Sequence, residues 1–216
     1  MKLTIVYDND IFKKGLGLKS DWGFACLIET KNDTVLFDTG AKGKILLNNM
    51  KLLDINPKQI NKIVISHEHW DHNGGLKDLI TYIEKAEIFR PKSQKDDNKI
   101  KHRNSKESTK ISEEIYTTGI LKGTPVDEQS LVLKGKKNWY ALTGCSHSGV
   151  DNILKTANKI GYTAGIIGGF HGFNKFKYLE KLNLIYPCHC TKYKKQIIEM
   201  FPDKAKKCGV GKTIDL

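Results

Sequence analysis

The chain has 216 residues, of which 39% are hydrophobic, and carries a formal net charge of +12 at pH 7. That is enough apolar material for one full core, and the two halves do not differ in composition, so a single domain over 1–216 is expected. No run approaches the roughly 20 apolar residues that cross a bilayer, and the opening MKLTIVYDNDIFKK reads as strand and turn; a cytoplasmic protein with no membrane partner is expected.

The first third is strand-led. LTIVYD, WGFACLIET and DTVLFDTG are short β-rich runs divided by turn residues. Residues 43–53, GKILLNNMKLL, space their apolar side chains as a helix does, and PKQI at 57–60 opens a turn before the apolar run KIVIS. The chain then passes through HEHWDHNGG into LKDLITYIEKA, read as helix, and EIFRP, read as strand. Residues 91–111 are almost wholly polar and charged and predict a mobile surface loop bordering the site mouth. EIYTTG, SLVLKG and NWYALTG follow as strands, then a helix near 150–160, the strand AGIIGG, a helix near 174–182, the strand LNLIYP, a helix near 192–200 and a short terminal strand. Strands interleaved with helices in both halves predict two packed sheets with helices on their outer faces.

The chemistry concentrates in Ser66-His67-Glu68-His69-Trp70-Asp71-His72, directly after an apolar strand. In extended chain His67 and His69 point to one side and can share an ion, while the turn into the helix swings Asp71 and His72 toward another. Four such residues cannot complete two ions, so further ligands must come from other loops. His147, His171 and His189 each follow a predicted strand and are bordered by glycine or cysteine. Gly74 and Gly75 allow a tight turn into the helix.

The motif His-x-His-x-Asp-His, with histidines spaced in this way, resembles the metallo-β-lactamase superfamily. The resemblance spans nearly the whole chain and implies an α/β fold, a four-layer αββα sandwich with two mixed sheets. It implies that His67, His69 and His147 hold a first metal and Asp71, His72 and His189 a second, with Asp71 also catalytic. Asp38, in Leu36-Phe37-Asp38-Thr39-Gly40, matches the buried aspartate that supports the histidine loop by hydrogen bonding. Where many members carry an aspartate bridging both metals, this chain is expected to place His171, which leaves the centre one negative charge short and its second ion more weakly held. Asp8-Asn9, WGFACLIE, GGFH at 168–171 and PCHCT at 187–191 resemble the subfamily of 7,8-dihydropterin-6-methyl-4-(β-D-ribofuranosyl)-aminobenzene-5'-phosphate synthases, which implies pterin condensation as an alternative reaction.

Two divalent ions are the expected cofactors, zinc first, with manganese and iron also suited to mixed nitrogen and oxygen donors. The expected activity is hydrolysis of a small anionic, phosphorylated substrate. The positive charge favours such a partner, with Lys192 as the candidate contact, although lysine richness also serves solubility. An RNA-processing nuclease and a non-enzymatic metal sensor stay open as readings, but no additional RNA-binding segment is evident and nucleic acid is not the expected partner. The oligomeric state is left open.

Five cysteines, an odd number, at 26, 145, 188, 190 and 208 predict reduced thiols rather than a disulfide framework. Cys188 and Cys190 flank His189 and could suggest a structural zinc, but without a partner Cys-x-x-Cys they read as packing residues. Cys145 could act as a nucleophile, but its neighbour His147 is better used as a ligand. Trp70 and Phe170 are expected to be buried beside the metal loop.

Overall fold

The computed structural model describes residues 1–91 and 100–216. In the first half, β1 (Lys2–Tyr7), β2 (Ala25–Glu29) and β3 (Thr34–Phe37) lead into α1 (Gly43–Leu52), and β4 (Lys62–Val64) into α2 (Trp70–Asn73) and α3 (Leu76–Leu79). Then follow β5 (Ala86–Arg90), β6 (Ile100–Asn104), β7 (Thr109–Lys110), β8 (Ile115–Thr117), β9 (Leu131–Lys134) and β10 (Trp139–Thr143). The chain closes with α4 (Val150–Ile160), β11 (Thr163–Gly169), β12 (Leu184–Cys188), α5 (Lys194–Met200) and β13 (Thr213–Asp215).

Among the described residues these strands form two mixed sheets, ordered β13-β1-β2-β3-β4-β5-β6 and β12-β11-β10-β9-β8-β7. Strand alternation explains the layering, because successive side chains leave opposite faces. Leu3, Ile5, Cys26, Ile28, Val35 and Phe37 point inward to meet Ile115, Leu131, Leu133, Leu142 and Ile167 of the other sheet. Their neighbours Val6, Leu27, Leu36 and Ile63 point outward and are covered by Leu46 and Met50 of α1 and Leu79 of α3. On the far side Val132, Ala141, Ile166 and Ile185 are covered by Val150, Ile153, Leu154 and Ala157 of α4 and Ile197 of α5. Both sheets are thus buried on both faces, and the αββα order expected from the resemblance is the observed one. No helix among the described residues is long and apolar enough to cross a membrane.

Three expectations differ. The helix read across LKDLITYIEKA is α-helical only from Leu76 to Leu79, and the one near 174–182 is a single 3₁₀ turn, Phe176–Leu179. The loop read across 91–111 is strand in part: β6 pairs in parallel with β5 from Ala86↔Ile100 to Arg90↔Asn104, and β7 pairs with β8; residues 92–99 lie outside the described ones. Only Ile100 in β6 is buried. The rest of that strand is polar because it forms a sheet edge facing water, where backbone pairing rather than composition makes the strand.

The site is placed by parallel pairing. Strand β3 runs parallel to β4, and β10 to β11 to β12, so the carboxyl ends of each set lie along one edge of its sheet. Asp38, the His67–His72 loop, His147, His171 and His189 all follow those ends, the general location of ligand sites in α/β sheets.

Candidate metal centre

Backbone strain marks the same edge. Asp38, Ser146, His171 and His189 have φ of 59°, 62°, 46° and 41°, a left-handed conformation that costs about 1–3 kcal/mol for a non-glycine residue and is retained where surroundings over-determine it. The surroundings do so here. Asp38 is fully buried and accepts three hydrogen bonds: the Ser66 amide at 2.7 Å, the Ser66 hydroxyl at 2.7 Å and His72 Nδ1 at 2.7 Å. His189 is held by Asp8, whose Oδ2 accepts its amide at 2.8 Å, and by Asn9, whose Oδ1 accepts from its Nδ1 at 2.9 Å. The Ser66 hydroxyl lies 2.9 Å from His67 Nδ1; having given its proton to Asp38, it accepts there.

These bonds fix tautomers. With Nδ1 protonated on His67, His72 and His189, each Nε2 presents a lone pair to the space between the loops. His67 Nε2 and His69 Nδ1 face each other at 3.1 Å, and the His147 ring stands 4.8 Å from that of His67 and 4.9 Å from that of His69. Beside them His189 Nε2 lies 3.2 Å from Asp71 Oδ2, and His72 Nε2 lies 3.7 Å from the same oxygen. The ligand atoms of His67, His69 and His147 fall within 4.8 Å of one another, as do those of Asp71, His72 and His189. The structure therefore gathers the two triads that the sequence resemblance implies.

The donor set fits metal ions on two counts. Among the described residues, both ring nitrogens of His147 and Nε2 of His189 are buried without a hydrogen-bond partner, and such atoms are costly unless something else satisfies them. His189 Nε2 and Asp71 Oδ2, 3.2 Å apart, are both acceptors in this tautomer and do not bond each other, as expected when both groups aim at a common cation. Second, two nitrogens bound to one tetrahedral zinc stand about 3.4 Å apart, close to the His67–His69 separation.

Electrostatics agree with this assignment. Burial, then the neighbouring imidazoles, depresses the basicity of His67 and His72, and burial with His171 and His69 lowers His147 to about 4. Burial pushes the Asp71 carboxyl up, but the His189 and His72 imidazoles outweigh it and hold the group below the ordinary carboxylate range. His67, His72 and His147 are thus kept neutral and Asp71 ionised, the forms that bind metal. An acid sensitivity follows for the metal-free protein. Below about pH 6.5 the unfolded chain takes up protons that the folded imidazoles refuse, so stability present above that pH is lost as pH falls, by up to about 1.4 kcal/mol per pH unit for each fully buried histidine. Urea unfolding of chelator-treated protein should show a midpoint nearly level from pH 7.5 to about pH 6.5 and falling from there to pH 5; a flat profile over the whole range would contradict the neutral assignment.

The structure does not bring His171 into either triad. After the buried Phe170 the chain turns with a positive φ at His171, which is exposed and belongs to no ligand group, its ring centre 5.0 Å from that of His147. The bridging place expected of it is corrected accordingly. Trp70 is 61% exposed rather than buried, whereas Phe170 is buried as expected. Lys192 lies in a lysine-lined groove with Lys14, Lys194, Lys195 and Lys207. Cys188 packs in the core between the sheets, but Cys190, read as a packing residue, instead sets its Sγ 3.2 Å from that of Cys145 at the back of the centre. Residues that local sequence patterns did not single out also hold the site. Arg90 Nε donates to Glu68 at 3.0 Å and Asn73 donates to Glu68 at 3.0 Å, pinning the histidine loop, and the half-exposed Trp22 sets its ring edge-on to His189 with 5.2 Å between centres.

The family model described as the metallo-beta-lactamase superfamily matches residues 23–158, more than half of the chain and including the His67–His72 loop and His147. The chain belongs to the metallo-β-lactamase superfamily. Two relatives from Methanocaldococcus jannaschii cover most of it. One, named 7,8-dihydropterin-6-methyl-4-(beta-D-ribofuranosyl)-aminobenzene-5'-phosphate synthase, is 28% identical over 90% of both chains. The other, an uncharacterized protein, MJ0448, is 30% identical over 89% of this chain and 91% of its own. Among solved structures, Tm1679, described as a metal-dependent hydrolase of the beta-lactamase superfamily, superposes with a TM-score of 0.75 at 23% identity, over 100% of this chain and 99% of that one. Members of this superfamily usually bind divalent metals, and the histidine and aspartate triads are where this member offers donors.

Proposed function

We propose that this protein is a hydrolase of small phosphorylated compounds, working with two divalent ions, zinc in the first instance, held by His67, His69 and His147 and by Asp71, His72 and His189. The observation that supports it most is the convergence of unpartnered ring nitrogens of His147 and His189 on the histidine loop. Such ions supply Lewis acidity that activates water and polarises a phosphoryl oxygen. The protein's own groups do the positioning. Asp71, held ionised with Oδ2 facing His72 and His189, orients the attacking water and accepts its proton. A cavity of about 440 Å³ opens beside His147 and is lined by Ser148, Asn152, His171 and Lys175, the last paired with Asp151 at 2.9 Å, a polar lining that can hydrogen-bond a phosphate ester. The wider lysine groove holding Lys192, about 960 Å³, adds long-range attraction for anions.

Transfer rather than hydrolysis is the second reading. It is favoured by the synthase name of the 28% identical relative and by Trp22 and Trp70, exposed beside His189 and His69 and able to stack on a flat heterocycle. One assay set separates the two. Protein purified without chelator should hydrolyse nitrophenyl phosphoesters faster than carboxylic esters or lactones, lose this turnover to a chelator and regain it with zinc. Release of pyrophosphate from a pterin-methyl diphosphate only when an aminobenzene ribofuranosyl phosphate acceptor is present would favour transfer. Undiminished phosphoester turnover in metal-stripped protein would overturn the metal-dependent reading.

A further inference from the structure

Two thiols at the back of the centre have no place in the ligand sets described so far. Cys145 is 3% exposed, and its Sγ lies 3.1 Å from His72 Nε2 and 3.2 Å from Cys190 Sγ. It groups within 4.8 Å with His67 and His72, and again with His189 and Cys190. One sulfur therefore reaches donors of both triads, and the other reaches His189 of the second. The strand that ends against them offers no side chain: a Cβ added at Gly169 would meet Cys190 Sγ at 2.7 Å and the Gly144 carbonyl at 2.4 Å. With His171 exposed, no carboxylate enters this space from the end of β11; sulfur fills it.

We infer that Cys145 and Cys190 are sulfur ligands of the centre, Cys145 at the joint between the two ion positions and Cys190 completing the second beside Asp71, His72 and His189. This rests on the dinuclear reading proposed above. Each metal–sulfur bond forms as the thiol gives its proton to solvent, so the two thiolates return to the centre the single negative charge that a bridging aspartate would have carried and add one more. With five donors around the second ion, two thiolates bound at about 2.3 Å and at a right angle stand about 3.3 Å apart, close to the observed separation of 3.2 Å. Soft sulfur beside imidazole selects zinc, iron or cobalt over magnesium and manganese, so the second position should discriminate between these groups in a way that histidine and carboxylate alone would not.

Cobalt(II) loaded into the full-length protein in place of zinc reports sulfur directly, through a thiolate-to-cobalt charge-transfer band in the near ultraviolet. Cys26, Cys188 and Cys208 lie in the core between the sheets, so any such band belongs to Cys145 and Cys190. We expect the band in the wild-type protein with two cobalt ions bound, weakened in Cys190→Ser and absent in the double variant Cys145→Ser/Cys190→Ser. Affinity for the second ion should fall about 10–100-fold in Cys190→Ser. Cys190 is only partly buried, so its serine variant should fold even if Cys145→Ser does not, and zinc-edge X-ray absorption of the wild-type protein gives an independent reading of sulfur at about 2.3 Å. Two cobalt ions bound with only weak visible bands, unchanged in Cys190→Ser, would overturn the sulfur assignment and leave the dinuclear reading intact. Failure to bind cobalt or zinc at all would overturn both.

Discussion

Replacing His147 with alanine should remove one of two bound ions and lower turnover by about 10³-fold or more. The expectation is unusually clean because neither ring nitrogen of His147 hydrogen-bonds to any of the described residues, so truncation leaves no donor or acceptor stranded among them. What it removes is one of the nitrogens grouped with His67 and His69, together with ring contacts to those residues and to His171. The metal-free variant should therefore unfold within about 1 kcal/mol of the wild type, while elemental analysis shows metal content reduced by one ion per chain. Full metal content with full turnover would show that His147 is no ligand.

The second large effect is expected at Asp38. In Asp38→Ala the Ser66 amide, the Ser66 hydroxyl and His72 Nδ1 lose their common acceptor inside a fully buried site, at a cost of about 3–5 kcal/mol. Asp38→Asn separates folding from function. Its carbonyl oxygen can still accept from Ser66, but its amide nitrogen then faces His72 Nδ1 and donates to it, moving the imidazole proton to Nε2 and blocking that ligand. Denaturant unfolding should place Asn between alanine and wild type, whereas titration should show second-ion affinity down about 10–100-fold in Asn with the first ion little changed. Wild-type affinity for both ions in Asp38→Asn would mean that Asp38 braces the loop without setting the tautomer.

The parts of this centre visible in sequence are those encoded within a few residues. The His67–His72 run is local, and any strand-to-helix turn brings those side chains together. His147 and His189 were recognisable as residues just beyond strands because alternating apolar runs end where they begin. Asp38 could be assigned only through family resemblance, since nothing local says that a carboxylate after β3 will meet a serine after β4. That Cys145 and Cys190 would meet is hidden for the same reason: they are 45 residues apart and come together because β10, β11 and β12 run parallel. His171 was misplaced because its spacing after a strand matched that of the ligands, while the left-handed turn that leaves it exposed depends on Phe170 being drawn into the core. Strand β6 was hidden by its polar edge.

Anomalous X-ray scattering at the zinc edge, from crystals grown without chelator and with zinc added, tests the dinuclear centre most directly. Two peaks are predicted, one among His67, His69 and His147 and one among Asp71, His72 and His189. A single peak, or strong peaks only at surface histidines outside these triads, would contradict it.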